Sequence, residues 1–194
     1  MSKGETTRSF IISRAAEIFN QRGYSAGAIS EIMSATGLKK GGIYRHFESK
    51  EQLAAEAFEY AVQTVSDMRF AKSLTVDNAV DKLIAFVDSF VGGKSPIPGG
   101  CPLMNTAIES TDSDTALKEL SRKRLLSWHD RLEVIVKTGI SKGEIREEVD
   151  AAQVVSVLIS SLEGAVMIAR LTKERDKMLN VTSFLGEYLT SLRR

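Results

Sequence analysis

Between Lys39 and Lys50 the chain reads KKGGIYRHFESK, and these side chains can do one kind of chemistry well, which is to hold anions. Lys39, Lys40, Arg45 and Lys50 carry positive charge, Tyr44 and His46 can donate hydrogen bonds, and Gly41-Gly42 leaves the backbone open to close approach. Two consecutive glycines cost a helix roughly 1 kcal/mol each relative to alanine. That cost is tolerated where another body must come against the backbone. The major groove of DNA, which admits one α-helix, is such a body. The plainer alternative is a basic, glycine-containing surface turn.

The elements that would position these groups lie within 28–53. Ile29, Ile32 and Met33 fall at i, i+3 and i+4 and give a first short helix one apolar face, and Gly37 can end it in the left-handed conformation. Leu38 closes the turn. A second short helix over 39–46 turns Ile43 inward, with Phe47 just beyond it, and leaves the anion-holding set outward. Two short helices with a tight glycine turn are a helix-turn-helix. Ser49 then caps a third helix with Gln52 in a capping box, which puts Lys50 among free N–H groups as a phosphate clamp.

At these residues the stretch resembles the TetR family of bacterial transcriptional regulators, with its pattern I-x-x-x-x-G-[VL]-x-x-G-x-[IL]-Y-x-H-F-x-x-K-x-x-L. Ile32, Gly37, Leu38, Gly41, Ile43, Tyr44, His46, Phe47, Lys50 and Leu53 match it. One departure stands out: where the family carries Thr or Ser as the cap of the second helix, this chain has Gly27 and Ala28, so Ser25 or Ser30 would have to supply that hydroxyl. The resemblance implies an all-α protein in which an N-terminal three-helix helix-turn-helix domain over 1–50 precedes a helical effector-binding and dimerisation domain over 51–194. Its partners would be a double-stranded DNA operator, a small-molecule effector and a second copy of the chain. The candidate DNA-binding residues are Ser30, Lys39, Lys40, Gly41, Gly42, Tyr44, Arg45, His46 and Lys50. Of these, Lys40, Gly41, Gly42 and Tyr44 are expected at the major groove, and Tyr44, His46 and Lys50 at phosphates.

Charge agrees with that reading. The first fifty residues hold eight Lys or Arg against four Glu, a balance of +4 inside a chain whose total is +1, so the remainder stands at −3. A modest basic excess supplies phosphate-directed attraction only when joined to a motif that can use it. Other chemistries lack their residues. One cysteine and two distant histidines give no metal-ligand spacing, no cofactor is expected, and there is neither a phosphate-binding glycine loop with its lysine nor a Ser/His/Asp constellation. No apolar stretch reaches the length of a membrane span and the first residues lack a secretory apolar run, so a cytoplasmic protein without a membrane partner is expected.

Elsewhere the periodicity is helical, with the three prolines clustered at Pro96, Pro98 and Pro102. A first helix over 7–22 carries Ile11, Ala15, Ile18 and Phe19 and ends at Gly23. Another runs from Lys50 to about Lys72, and one starting at Asp77 ends at Gly92-Gly93. A loop through Lys94 leads to a short helix from Pro102, then a long one from about Asp114 to Lys142, in which Arg122, Lys123, Arg124 and Arg131 read as a solvated face. Asp150 and Gln153 begin a helix that is apolar nearly all round. The last, over 174–192, has an apolar stripe wider than one neighbour needs. Two such helices from each of two chains would make a four-helix interface, with Val166, Met178, Val181, Leu185 and Tyr188 as its candidates.

An effector pocket would draw on Phe86, Phe90, Met104, Trp128 and Met167, with Asn105 and Glu163 as polar groups; ordinary core packing is the competing role for each. The segment Gly100-Cys101-Pro102-Leu103-Met104-Asn105 is similar to a G-C-x-x-x-N element in part of the family. Cys101 is either a small residue filling a tight turn or, beside a helix N-terminus, a thiolate that senses oxidants or electrophiles. Three functions follow: a ligand-responsive homodimeric repressor released from a near-palindromic operator, the same regulator switched at Cys101, or a helical enzyme or carrier without DNA binding.

Overall fold

The computed structural model describes residues 3–24, 28–92, 95–110 and 116–194. Expectations placed on Ser25, Gly27, Gly93, Lys94 and Asp114 lie outside the described residues. Among those described there are nine α-helices and no strand, only an isolated bridge between Ile145 and Arg193. The helices are α1 (Lys3–Arg22), α2 (Ala28–Thr36), α3 (Lys40–Tyr44), α4 (Lys50–Ala71), α5 (Ala79–Asp88), α6 (Pro102–Ser110), α7 (Ala116–Ser141), α8 (Ala151–Thr172) and α9 (Asp176–Ser191), with a 3-10 turn over Lys72–Thr75. The all-α class expected from periodicity is what the chain adopts.

Packing divides the chain into two compact units, Met1–Val65 with Ser95–Arg124, and Ser66–Lys94 with Leu125–Arg194. This differs from a single boundary after residue 50. Leu53, Ala54, Ala57 and Phe58 of α4 are buried in line with the core residues of 1–50, and the segment carrying α6 packs on α1.

In the first unit, Ile11, Ala15 and Phe19 of α1, Ile32 of α2, and Ile43 and Phe47 around α3 are buried. Gly37 takes φ +70° and donates to the Met33 carbonyl at 2.9 Å, closing α2 as its position predicts. The helix α3 is shorter than 39–46. Lys39 is extended, with ψ 159°, and His46 N–H bonds back only three residues to Ile43, so the last turn tightens and ends. The Ser49 cap forms, its Oγ accepting from Gln52 N–H at 3.1 Å. Gln52 Oε1 reaches Glu48 N–H rather than that of Ser49, so the reciprocal half of the box sits one residue early.

The second unit packs α8 and α5 on α9. Asn78, not Asp77, caps α5, its Oδ1 accepting from Val80 and Asp81 N–H. Asp150 caps α8 in the same way. Gly139 is required by close approach: a Cβ there would meet Ala79 Cβ at 2.6 Å and Ile145 Cδ1 at 2.7 Å. By length and composition α8 is apolar enough to cross a membrane, which corrects the expectation that no stretch is. Its apolar residues fall on two faces. Val154, Val155, Leu158, Ile159, Leu162 and Ala165 are buried within the unit, whereas Val157, Met167, Ile168 and Leu171 are exposed.

Candidate nucleic-acid interface

The outward face of α2 and α3 is built by subtraction. Once Ile32, Ile43 and Phe47 are buried, helical geometry leaves Ser30, Lys39, Lys40, Gly41 and Arg45 exposed and Gly42, Tyr44, His46 and Lys50 half-buried. Lys40 Nζ lies 5.9 Å from the Tyr44 ring centroid, which places cation and phenol side by side. Ser30, Ser34 and Ala35 line an open hollow of about 500 Å³ with Ile18 and Glu31.

The glycines decide what this face can receive. Neither has positive φ; a Cβ at Gly41 would meet nothing within 4 Å, and one at Gly42 would only touch Leu38 at ordinary distance. The fold itself therefore has no need of glycine at either position. A surface without Cβ atoms, flanked by cations, suits a ligand that must approach the backbone.

Lys50 does not stand clear as a lone clamp. Its ammonium donates to the Tyr24 carbonyl, tying the start of α4 to the end of α1. Tyr24 is further held by stacking on Phe19, with centroids 4.9 Å apart, by its hydroxyl 2.9 Å from Thr106 Oγ1, and by its N–H donating to Glu109 Oε1 at 2.7 Å. Burial pushes the Tyr24 phenol up to about 12; the Thr106 hydrogen bond works against this, and the Glu109 charge adds to it. No short-range sequence signal marks these contacts, since 82 and 85 residues separate the partners.

Of the expected effector lining, Met104 and Asn105 belong to the first unit and Phe86, Phe90, Trp128, Glu163 and Met167 to the second. Asn105 is committed to structure: its Nδ2 donates to Asn20 Oδ1 and to the Gly99 carbonyl, both at 2.9 Å. Asn20 Nδ2 in turn donates to the Pro98 carbonyl at 2.9 Å, and a Cβ at Gly99, φ +112°, would strike the Asn20 carbonyl at 2.6 Å. Asn105 is thus a brace rather than a polar group awaiting a ligand. Cys101 is buried at 8% exposure beneath the same turn.

In the second unit Phe86 packs against Phe70, Phe90 and Trp128, and Trp128 Nε1 donates to Ser66 Oγ at 2.7 Å. Met167 is 49% exposed on the outer side of α8 and leaves that lining. Two arginines that sequence pattern missed or misplaced close the cluster. Arg69 is buried, lies 4.0 Å above the Phe90 ring and donates to the Ser89 carbonyl. Arg131, read as solvated, sits 3.7 Å above Phe70, and desolvation lowers its pKa despite the nearby Asp67. Arg124, also read as solvated, pairs with Glu59 in the first unit.

The interface candidates on the last two helices divide as well. Met178 and Leu185 are buried within their own unit and so are corrected to core residues, whereas Val166, Val181 and Tyr188 are half-exposed. The stripe Met178, Thr182, Leu185, Leu189 follows i, i+4, i+7, i+11 and faces inward. What remains outside is Leu179 and Phe184 on α9, facing solvent as do Val157, Ile168 and Leu171 on α8.

Residues 11–57 match the family model described as bacterial regulatory proteins, tetR family, and 79–185 match the one described as tetracyclin repressor-like, C-terminal domain. A TetR transcriptional regulator from Chloroflexus aurantiacus J-10-FL superposes with a TM-score of 0.95 at 44% identity, covering 100% of this chain and 99% of that one. A second, from Cytophaga hutchinsonii, gives 0.92 at 33% identity, covering 100% and 98%. The HTH-type transcriptional repressor DhaR of Mycobacterium sp. (strain GP1) is 27% identical over 88% of this chain and 86% of its own.

Proposed function

The chain belongs to the TetR family of bacterial transcriptional regulators, non-enzymatic DNA-binding proteins, and from that premise we propose that it is a homodimeric repressor which leaves a near-palindromic operator when a small molecule binds. The observation that carries the DNA half is the pair Gly41-Gly42, glycines the fold does not need, set among Lys39, Lys40, Tyr44, Arg45 and His46. Arg and Lys side chains neutralise phosphates, while the bare backbone lets α3 come down on base edges. Ser30 contributes a hydroxyl to the backbone on the α2 side.

A dimer is supported by the outer faces of α8 and α9. Val157, Ile168 and Leu171 follow i, i+11, i+14 with Gly164 between them, and neither Gly164 nor Gly186 has an atom within 4 Å of where a Cβ would stand. Two copies bring four such helices together, and their closure about a two-fold axis presents two reading helices to one face of the duplex. Half-exposed Val166, Val181 and Tyr188 form the rim. Such a protein works in the cytoplasm, where its operator is.

The effector binds at the aromatic cluster of Phe86, Phe90 and Trp128, whose rings suit a largely hydrophobic molecule and whose edge carries Arg69 and Arg131 for a polar group on it. It acts by favouring the chain's non-operator state, since a ligand with equal affinity for both states shifts nothing. Removing the gene should raise transcription from promoters that the protein binds. A fall instead would make the protein an activator, and no change would remove the regulatory reading.

A further inference from the structure

Resting on the DNA-binding reading above, we infer that Tyr24, held by Thr106 and Glu109 of α6 and one turn from the Asn20–Asn105 pair, is a positioning hub that sets the orientation of the reading helices. The joint at the end of α1, Gly23 and Tyr24, is where that orientation is set. Gly23 ends α1 with φ +78°, its N–H bonded to the Phe19 carbonyl at 2.8 Å, and a Cβ on it would fall 2.8 Å from Glu109 Oε2. The joint is therefore shaped around the Glu109 carboxylate.

Every part of Tyr24 that can be held is held. Its ring stacks on Phe19 of α1, its hydroxyl meets Thr106, its N–H donates to Glu109, and its carbonyl accepts from Lys50, the first residue of α4. Three helices converge on one residue next to the chain entering α2. One turn back along α1, Asn20 accepts from Asn105 and donates to the carbonyls of Pro98 and Gly100, which seats the loop before α6 on the same helix. These residues belong to one compact unit, so α6 is part of the reading head's own framework although 80 residues of chain lie between.

None of Asn20, Thr106, Asn105 or Glu109 lies among the outward residues of α2 and α3, so they act through geometry and not by touching DNA. A change in α6 alters where α2 and α3 point without removing a phosphate contact. That separates positioning from binding experimentally.

The test uses the full-length protein and DNA selected by it from a random pool. Glu109→Ala and Tyr24→Phe are each expected to weaken that DNA about tenfold, the effect of losing one or two net hydrogen bonds, with the salt dependence of binding unchanged. Glu109→Gln, which keeps an acceptor for the Tyr24 N–H, should restore most of the loss. Tyr24→Phe with Thr106→Val should be no worse than either alone, because both remove one contact. Affinity within twofold of wild type in Glu109→Ala, or a reduced salt slope, overturns the inference. If the wild type selects no DNA, the regulatory reading fails, and the hub is judged by amide hydrogen exchange instead. Faster exchange across 28–44 in Glu109→Ala, with thermal melting held within a few degrees, supports it, and unchanged exchange there sinks it.

Discussion

The outward faces of α2–α3 and of α8–α9 are both left over after core packing, yet they are opposite in kind. The first exposes cations, a phenol and two bare glycines; the second exposes Leu171 at 82% and Phe184 at 66%. Solvated polar groups on a short helix need no further partner, whereas several large apolar side chains left in water on neighbouring helices call for one. Under the proposed function the first surface meets a charged, rigid groove and the second a copy of itself. The pairing of the two on one chain is what a dimeric reader of DNA requires.

Inward and outward faces meet at neighbouring positions on α9. Leu185→Ala should destabilise the chain by about 2–5 kcal/mol, because Leu185 is fully buried and the cavity cannot close completely. Phe184→Glu, one residue away, should leave the monomer folded while abolishing the dimer and weakening operator binding by roughly a hundredfold or more, the value of losing one of two linked half-sites. Denaturant unfolding and sedimentation separate the two effects. A Phe184→Glu protein that stays dimeric would remove α9's outer face from the interface.

On the reading face, Gly41→Ala is expected to move stability and binding in opposite directions. Alanine is a better helix former, so thermal stability should hold or rise by up to ~1 kcal/mol, while the added methyl should cost operator affinity at least about tenfold. Unchanged affinity would show that the missing Cβ serves nothing.

A smaller effect sharpens the role of Lys50. Lys50→Ala should reduce the salt slope of DNA binding by about one unit if its ammonium shares itself between the Tyr24 carbonyl and a phosphate. Loss of affinity with the slope intact would assign Lys50 wholly to the Tyr24 hub.

The smallest is a titration. Tyr24 has its folded pKa raised above the unfolded value of 10.0, so the neutral phenol is the form the fold favours. The stability this contributes is complete below pH 10 and is lost as pH rises from there through about 12. Tyr24→Phe should flatten that alkaline loss in unfolding curves taken across this window.

How much of this was legible in the sequence follows from the range of the forces involved. The turn at Gly37, the inward Ile43 and Phe47, the Asp150 cap and the helix after Pro102 are local, set by spacing within one or two turns, and they appear where spacing puts them. The width of the apolar stripes on α8 and α9 was equally plain. Which half of each stripe faces its own chain was not, because periodicity gives the angle between faces and says nothing of which one meets α5. Hence periodicity puts Leu185 and Met178 at the dimer interface, whereas they are buried in their own unit, and it does not single out the exposed Phe184 and Leu171. Asn105 and Arg131 stand away from their expected places for a related reason. Their partners, Asn20 and Phe70, lie 85 and 61 residues away, and the composition of a helix does not reveal a distant ring or amide. Nothing in the sequence marks Tyr24, because the α6 residues that hold it lie 82 and 85 positions away.

The central claim, a two-fold symmetric reader of DNA, is met most directly by measuring binding stoichiometry and specificity together: fluorescence anisotropy of labelled duplexes from the gene's own promoter region, titrated with protein at fixed salt. Two chains per near-palindromic site are expected, with affinity at least about a thousandfold above that for random duplex of equal length. Saturation at one chain per site, or equal affinity for both duplexes, would contradict it.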